Sequence, residues 1–149
     1  MQKTITCEFK FEQKAYNEDA TANEIQAIKN QVFVHSEGVV FLKEIPEVSP
    51  FSINLVFDEI ERLGQQMGRH GIVIDIRETR RPNTETRRVI NTRFTKICER
   101  VEHVSFCTGQ NILINTAVRF VMYQTNLDSF SIHKTVEASI NAIKEKLNG

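Results

Sequence analysis

The sequence predicts an α/β fold: a mixed β-sheet with helices packed against it, as a single domain over residues 1–149. Three observations carry this reading. The first is Gly71-Ile72-Val73-Ile74-Asp75-Ile76, an apolar, β-branched run broken only by Asp75, which suits a strand covered on both faces. The second is a turn and a helix directly after that strand. Arg77 to Thr84 has no period and carries turn chemistry, and Pro82 pushes Arg81 away from helical backbone. From Thr84 onward Ile90, Phe94 and Ile97 recur at helical spacing, with Asn83 or Thr84 able to cap the helix. The third is a hairpin signature, in which Val32–His35 and Val39–Leu42 flank Ser36-Glu37-Gly38.

The remaining elements are read in chain order. Residues 5–11 place Ile5, Cys7, Phe9 and Phe11 on one side and Thr6, Glu8 and Lys10 on the other, the pattern of a half-buried strand. Its apolar face can be covered by extending the sheet, also across a two-fold homodimer interface. Residues 14–23 are polar and read as a loop, and Ala22 to Asn30 as a short helix with Ile25 and Ile28 inward. Ser49-Pro50 opens the clearest helix, with Ser49 as N-cap, Pro50 at the first helical position and Val48 and Ile53 as a hydrophobic staple. Ile53, Val56, Phe57, Ile60 and Leu63 form its stripe, and Gly64 and Gly68 end it. His103–Cys107 predicts another strand, closed by Thr108-Gly109. Asn111–Tyr123 is apolar nearly all round, so that helix is either deeply buried or part of an interface. Leu127–Ile132 predicts a short edge strand, and Lys134–Leu147 a helix with Val136, Ile140, Ile143 and Leu147 inward. One core is expected to bury Ile53, Phe57, Ile60, Ile72, Ile74, Ile90, Phe94, Val104, Phe106 and Ile140.

Composition excludes several classes. The hydrophobic share of 40% and charged share of 26% are ordinary for a globular protein. Formal net charge is zero, so no global field favours nucleic acid or an anionic membrane. No apolar run approaches the roughly 20 residues that span a bilayer, so stable membrane insertion is not expected. The first residues lack the apolar core of a signal peptide. Cys7, Cys98 and Cys107 have no paired spacing, which fits free thiols in a reducing cytoplasm.

The order hairpin, helix, strand, helix, strand, helix, strand, helix resembles STAS domains, the fold of bacterial anti-sigma-factor antagonists. Residues 32–147 are similar to the SpoIIAA-like, STAS/SEC14-type small bacterial proteins. The pieces that carry the resemblance are Gly38-Val39-Val40-Phe41-Leu42, Gly71 to Ile76, Val101 to Phe106, and Phe130-Ser131-Ile132 leading to Val136-Glu137-Ala138. These are diffuse patterns over about three quarters of the chain, and residues 1–31 lie outside them. The resemblance implies a non-catalytic regulatory protein of bacterial signalling that acts through protein–protein contact. Antagonists of this fold carry an Asp-Ser-Ser-Gly-like signature after the central strand, whose serine is a phosphoswitch. Here the turn reads Arg77-Glu78-Thr79-Arg80-Arg81-Pro82-Asn83-Thr84, with neither serine nor glycine. Thr84 and Thr86 could replace that serine in position only, where a phosphate would favour the helix N-terminus. Their plain readings are a cap for Thr84 and a surface residue for Thr86.

The candidate site is the arginine-rich turn. Arg77, Arg80, Arg81, Arg87, Arg88 and Arg93 fall within seventeen residues. With helix N–H groups and Asp75 at the strand end, Arg77, Arg80, Arg81, Arg87 and Arg88 could hold an anion or an acidic partner surface. The plain reading is a solvated face with Glu78, Glu85 and Glu99 as partners. Arg87 and Arg88 diverge by about 100° on a helix, so one should face the turn and the other solvent. A second functional class is a binder of a small anionic or lipid-like ligand beside residues 76–88. A partner surface would be broad and flat there, a ligand site a closed pocket. Cys107, ahead of a helix, has Leu113 where a phosphatase-type Cys-x5-Arg loop needs arginine, so an inert, packed thiol is expected. His35, His70, His103 and His133 are scattered, without metal-ligand spacing. The sequence therefore predicts no enzyme, no cofactor and no metal, and Asp75 reads as a partner of turn amides or an orienter of ligand.

Overall fold

Strand order and direction decide where each helix lies. The structure, a computed structural model, describes residues 9–125 and 129–149. Its elements are α1 (Ala22–Lys29), β1 (Val32–Ser36), β2 (Val39–Lys43), α2 (Pro50–Gln65), β3 (Gly71–Asp75), α3 (Thr84–Ile97), β4 (Val104–Cys107), α4 (Ile112–Thr125), β5 (Phe130–His133) and α5 (Val136–Asn148). The five strands form one sheet in the order β1-β2-β3-β4-β5. β1 pairs antiparallel with β2, and all later pairs are parallel. A sheet that grows in one direction through right-handed crossovers puts each connecting helix on the same face. Accordingly α2, α3 and α4 share one face with α1, while α5, which comes after the last strand, covers the other.

This geometry divides the expected single core into two layers. Successive side chains of a strand point to opposite faces. Val40, Leu42, Ile72, Ile74, Val104 and Phe106 meet α2 and α3 through Ile53, Phe57, Ile60 and Phe94. Val39, Phe41 and Val73 meet Ile140 and Ile143 of α5 in a smaller, separate cluster. Ile140 therefore belongs to a different layer from the other nine expected core residues, and Ile90 is half-buried rather than buried.

Local signals explain most boundaries. Ser49 caps α2 by accepting from Ser52 N–H, with Pro50 in the first turn. Asn83, rather than Thr84, caps α3, its Oδ1 accepting from Thr86 N–H at 2.8 Å. α2 ends at Gln65, one residue past Gly64, and Gly64 lies against His70: a Cβ there would sit 2.8 Å from His70 Nε2. Gly71 lets α5 rest directly on β3, since a Cβ would lie 2.6 Å from Ile143 Cγ2 and 2.9 Å from the His103 carbonyl oxygen. Gly38 turns the hairpin at φ +76°, and a Cβ there would meet Leu147 Cδ1 at 2.6 Å. Gly38→Ala is thus expected to cost about 1–2 kcal/mol, mainly from left-handed backbone. Chemical denaturation measures it, and an unchanged midpoint would show that the turn is not the constraint.

Two expectations need correction. The strand over residues 5–11 falls partly on residues outside those described, and Phe9 to Phe11 lie in no strand. Their rings hold them instead: Phe11 meets Phe9 edge-on at 4.9 Å and the buried Tyr16 at 6.0 Å. Of the two alternatives for helix α4, deep burial or part of an interface, only deep burial is excluded. Val118 and Met122 point into the core, but Ile112 is 79%, Leu113 80% and Tyr123 82% exposed. The helix lies at the edge of its layer, so only one stripe of its apolar surface reaches the sheet. Leu127 and Asp128 fall outside the described residues, and the edge strand expected there runs over Phe130–His133.

Candidate functional site

The turn after β3 is tied to the segment that leaves β2. Glu44 N–H donates to the Asp75 carbonyl at 2.9 Å, continuing the ladder one step past the strand. Thr79 Oγ1 donates to the Ile45 carbonyl at 3.1 Å, and Arg80 N–H to the Pro46 carbonyl at 2.8 Å. These bonds hold residues 76–82 over the carboxyl ends of β2 and β3, where open α/β sheets commonly bind ligands.

The sheet then separates the sequence-predicted residues. Asp75 and Ile74 alternate, so they face opposite layers. Asp75 is buried on the α5 side and takes Arg77 bidentately, from Nε to Oδ1 at 2.9 Å and from Nη2 to Oδ2 at 2.8 Å, with Arg77 N–H also donating to Oδ1 at 3.2 Å. The hydrogen bonds and charge of Asp75 raise the Arg77 pKa and keep it cationic. This pair therefore satisfies itself and leans on Gly109. Arg80, Arg81 and Arg87 lie on the other face. No carboxylate of the described residues comes within 4.0 Å of any of the three. Arg87 is half-buried and donates to Thr84 Oγ1 at 3.1 Å, whereas Arg88 is exposed. Glu78, Glu85 and Glu99 form no ion pair with these arginines among the described residues. Arg93 has a structural role, bridging α3 to Asp58 at 2.7 Å and Glu61 at 3.5 Å on α2, with its guanidinium 5.7 Å from the Phe57 ring centre.

Thr86 is wholly buried, its hydroxyl without a hydrogen-bond partner among the described residues. It is neither a surface residue nor accessible to a kinase in the folded domain, because the first turn of α3 faces the core. Thr84 is exposed.

Arg80, Arg81 and Arg87 border a cavity of about 410 Å³. Its floor is Leu42, Ile74 and Phe106 of the sheet, and its walls come from α2, α3 and α4. That volume lies within the range of about 300–1,000 Å³ typical of small-molecule sites. Almost all of the lining is apolar, apart from the three arginines, Thr79, Asn111 and Glu44. Glu44 is the residue that sequence reading missed. It stands directly after β2, is 7% exposed, and has Oε1 taking the Ile45 N–H at 2.9 Å. Burial pushes its carboxyl pKa up to about 7, against the smaller opposing effect of that N–H. The available signal was a lone acid after an apolar strand, Val39-Val40-Phe41-Leu42-Lys43-Glu44, but nothing local separates it from a surface glutamate.

A larger depression of about 630 Å³ lies near the amino ends of the strands, beside His70 and Val101. Glu61, Lys96, Glu99 and Arg100 give it charges of both signs, so it has neither the apolar lining nor the one-sided rim of the first. Cys107 is fully buried, its Sγ 3.8 Å from the Lys134 carbonyl. Burial and the Asp75 charge push its thiol pKa up, the reverse of nucleophilic activation. On the α5 face, His103 lies with Nδ1 2.6 Å from Ser129 Oγ and Nε2 2.7 Å from Ser131 Oγ, and His133 Nε2 lies 2.6 Å from the same Ser131 Oγ. Burial lowers the His103 pKa to about 4, helped by Lys146 and His133. No group of three or more His, Cys, Asp or Glu side chains among the described residues could hold a metal ion.

Comparison with protein-family models finds none that matches this chain, and comparison with curated proteins finds no match. No helix among the described residues is long and apolar enough to cross a membrane.

Proposed function

We propose that this α/β chain is a non-catalytic binding domain that takes a small ligand with an apolar body and an anionic end. The observation that carries the reading is the apolar cavity bordered by three guanidinium groups, none of them in an ion pair with a described residue. Unpaired cations at the edge of an apolar hollow are poorly placed for stability, and they suit an anion whose body enters the hollow. Asp75, Arg77 and Arg88 stand outside this set, the first two because they neutralise each other on the opposite face of the sheet.

A second reading keeps the regulatory role implied by the STAS-like resemblance: a cytoplasmic protein of bacterial signalling that contacts an acidic partner, or a second copy of itself. The exposed apolar residues of α4, Ile112, Leu113, Phe120 and Tyr123, favour it, and Leu113 lines the same cavity as the three arginines. Thr84 is then the accessible position for a phosphate.

Anilinonaphthalene sulfonate, an aromatic body with one permanent anionic group, tests the binding reading. Arg80→Glu/Arg81→Glu together should weaken its binding about tenfold at low salt, less at high salt, with little change in melting temperature. Unchanged affinity would remove the arginine edge from the site and move function to the α4 surface.

A further inference from the structure

We propose that Glu44 is the specificity-determining residue of this cavity: its carboxyl donates a hydrogen bond to the anionic head of a single-chain amphiphile whose charge is met by Arg80, Arg81 and Arg87. The proposal rests on the binding reading above and adds to it the headgroup chemistry.

The geometry points to Glu44 in three ways. It is more than nine-tenths buried and lines the cavity, with one side-chain hydrogen bond among the described residues, the Ile45 N–H to Oε1 at 2.9 Å. No cation of the described residues lies within 4.0 Å of it, so it is not half of an ion pair. A lone buried acid disfavours folding in its charged form, and a cost of this kind concentrates at functional sites. Its backbone is also held on both sides, by the Glu44 N–H bond to the Asp75 carbonyl and by the Thr79 bond to the Ile45 carbonyl, so the carboxyl has a fixed place.

The charged groups around it define the ligand. Those that line the cavity are Glu44, Arg80, Arg81 and Arg87. Lys43 and Glu47 on its own segment, Glu78 on the turn and the Asp75–Arg77 pair do not line it, and neither α2 nor α4 contributes an ionisable group to the lining. An anionic head placed here meets three positive groups and one acid. The acid must keep its proton to be a donor rather than a repelling charge. A neutral head gains the hydrogen bond without the charge attraction, and a cationic head meets three arginines. The cavity volume of about 410 Å³, near the low end for small-molecule sites, suits one medium-length chain rather than two. A carboxylate and a sulfur or phosphorus oxyanion share this chemistry.

Isothermal titration of the full chain with decanesulfonate, decanoate and decanol tests the proposal. Decanesulfonate should bind wild type about tenfold more weakly at about pH 8 than at about pH 6, because ionised Glu44 opposes it. Its binding at about pH 8 should take up a proton, read from titrations in two buffers of different ionisation enthalpy. Glu44→Gln, whose amide donates at any pH, should bind it with the same affinity at both pH values. Decanoate should behave as decanesulfonate if the head need only be anionic, and decanol should bind more weakly with no such pH dependence. Equal, pH-independent binding of decanesulfonate and decanol would overturn the role of Glu44 while leaving the cavity as a binding site. Failure of all three to bind would overturn both. Should Glu44→Gln not fold, the wild-type pH profile and proton uptake decide alone.

Discussion

Phe57→Ala is expected to lower the free energy of unfolding by about 3–5 kcal/mol, the cost of emptying a large aromatic site that the surroundings can only partly refill. Phe57 is 2% exposed and faces the sheet from the middle of α2. Its ring meets Phe94 edge-on at 5.0 Å, and the Arg93 guanidinium lies 5.7 Å from its centre. Truncation therefore removes the contact between α2 and α3 as well as the burial of the ring itself. It also enlarges the adjoining cavity, which keeps the loss toward the upper end because cavity volume adds to the transfer cost. Urea unfolding followed by circular dichroism measures the change. A loss below about 1 kcal/mol would mean that α3 collapses inward, and that the packing between these helices is looser than their geometry indicates.

Glu44→Gln should stabilise the chain at about pH 7.5 by up to about 3 kcal/mol and do little at about pH 4.5. The folded state raises the Glu44 pKa from 4.5 to about 7. Its contribution is therefore fully present below about pH 4.5 and is lost as pH rises through about 7, since the folded chain holds a proton that the unfolded chain releases. His103 acts in the opposite sense. Its pKa falls from 6.5 to about 4 in the folded state, so its contribution is present above about pH 6.5 and is lost as pH falls through about 4. The His103 side is worth a similar amount, about 2–3 kcal/mol, because its shift is of similar size and its ring is as deeply buried. His133, lowered by the same burial, adds to it. The two windows nearly coincide, so wild type should show a flat stability profile over about pH 4.5–7. Glu44→Gln should uncover a rise in stability with pH, and His103→Gln a fall. Denaturant midpoints at several pH values provide the check. A Glu44→Gln profile superimposable on wild type would show that the Glu44 carboxyl reaches water.

The elements themselves are legible in the sequence, because their signals are local. Ser49-Pro50 places the start of α2, Ser36-Glu37-Gly38 the hairpin, Gly71 to Asp75 the central strand, and Val136, Ile140, Ile143 and Leu147 the inward side of α5. Capping, turn chemistry and side-chain period act over a few residues and need no distant partner. Which elements share a surface is settled only by the assembled fold. Alternation along β3 was visible in the sequence, but only strand order decided that Ile74 faces the layer of α1 to α4 while Asp75 faces α5, and so that Asp75 and Arg77 are separated from Arg80, Arg81 and Arg87. Glu44 reads as an ordinary polar residue after a strand until the turn from Thr79 to Arg80 closes over it. Thr86 looks exposed until the first turn of α3 is docked, and α4, which reads as either deeply buried or part of an interface, keeps one apolar side in water because it lies at the edge of its layer. Burial is a property of what lies opposite a residue in space, and that information is spread over contacts distant in the chain.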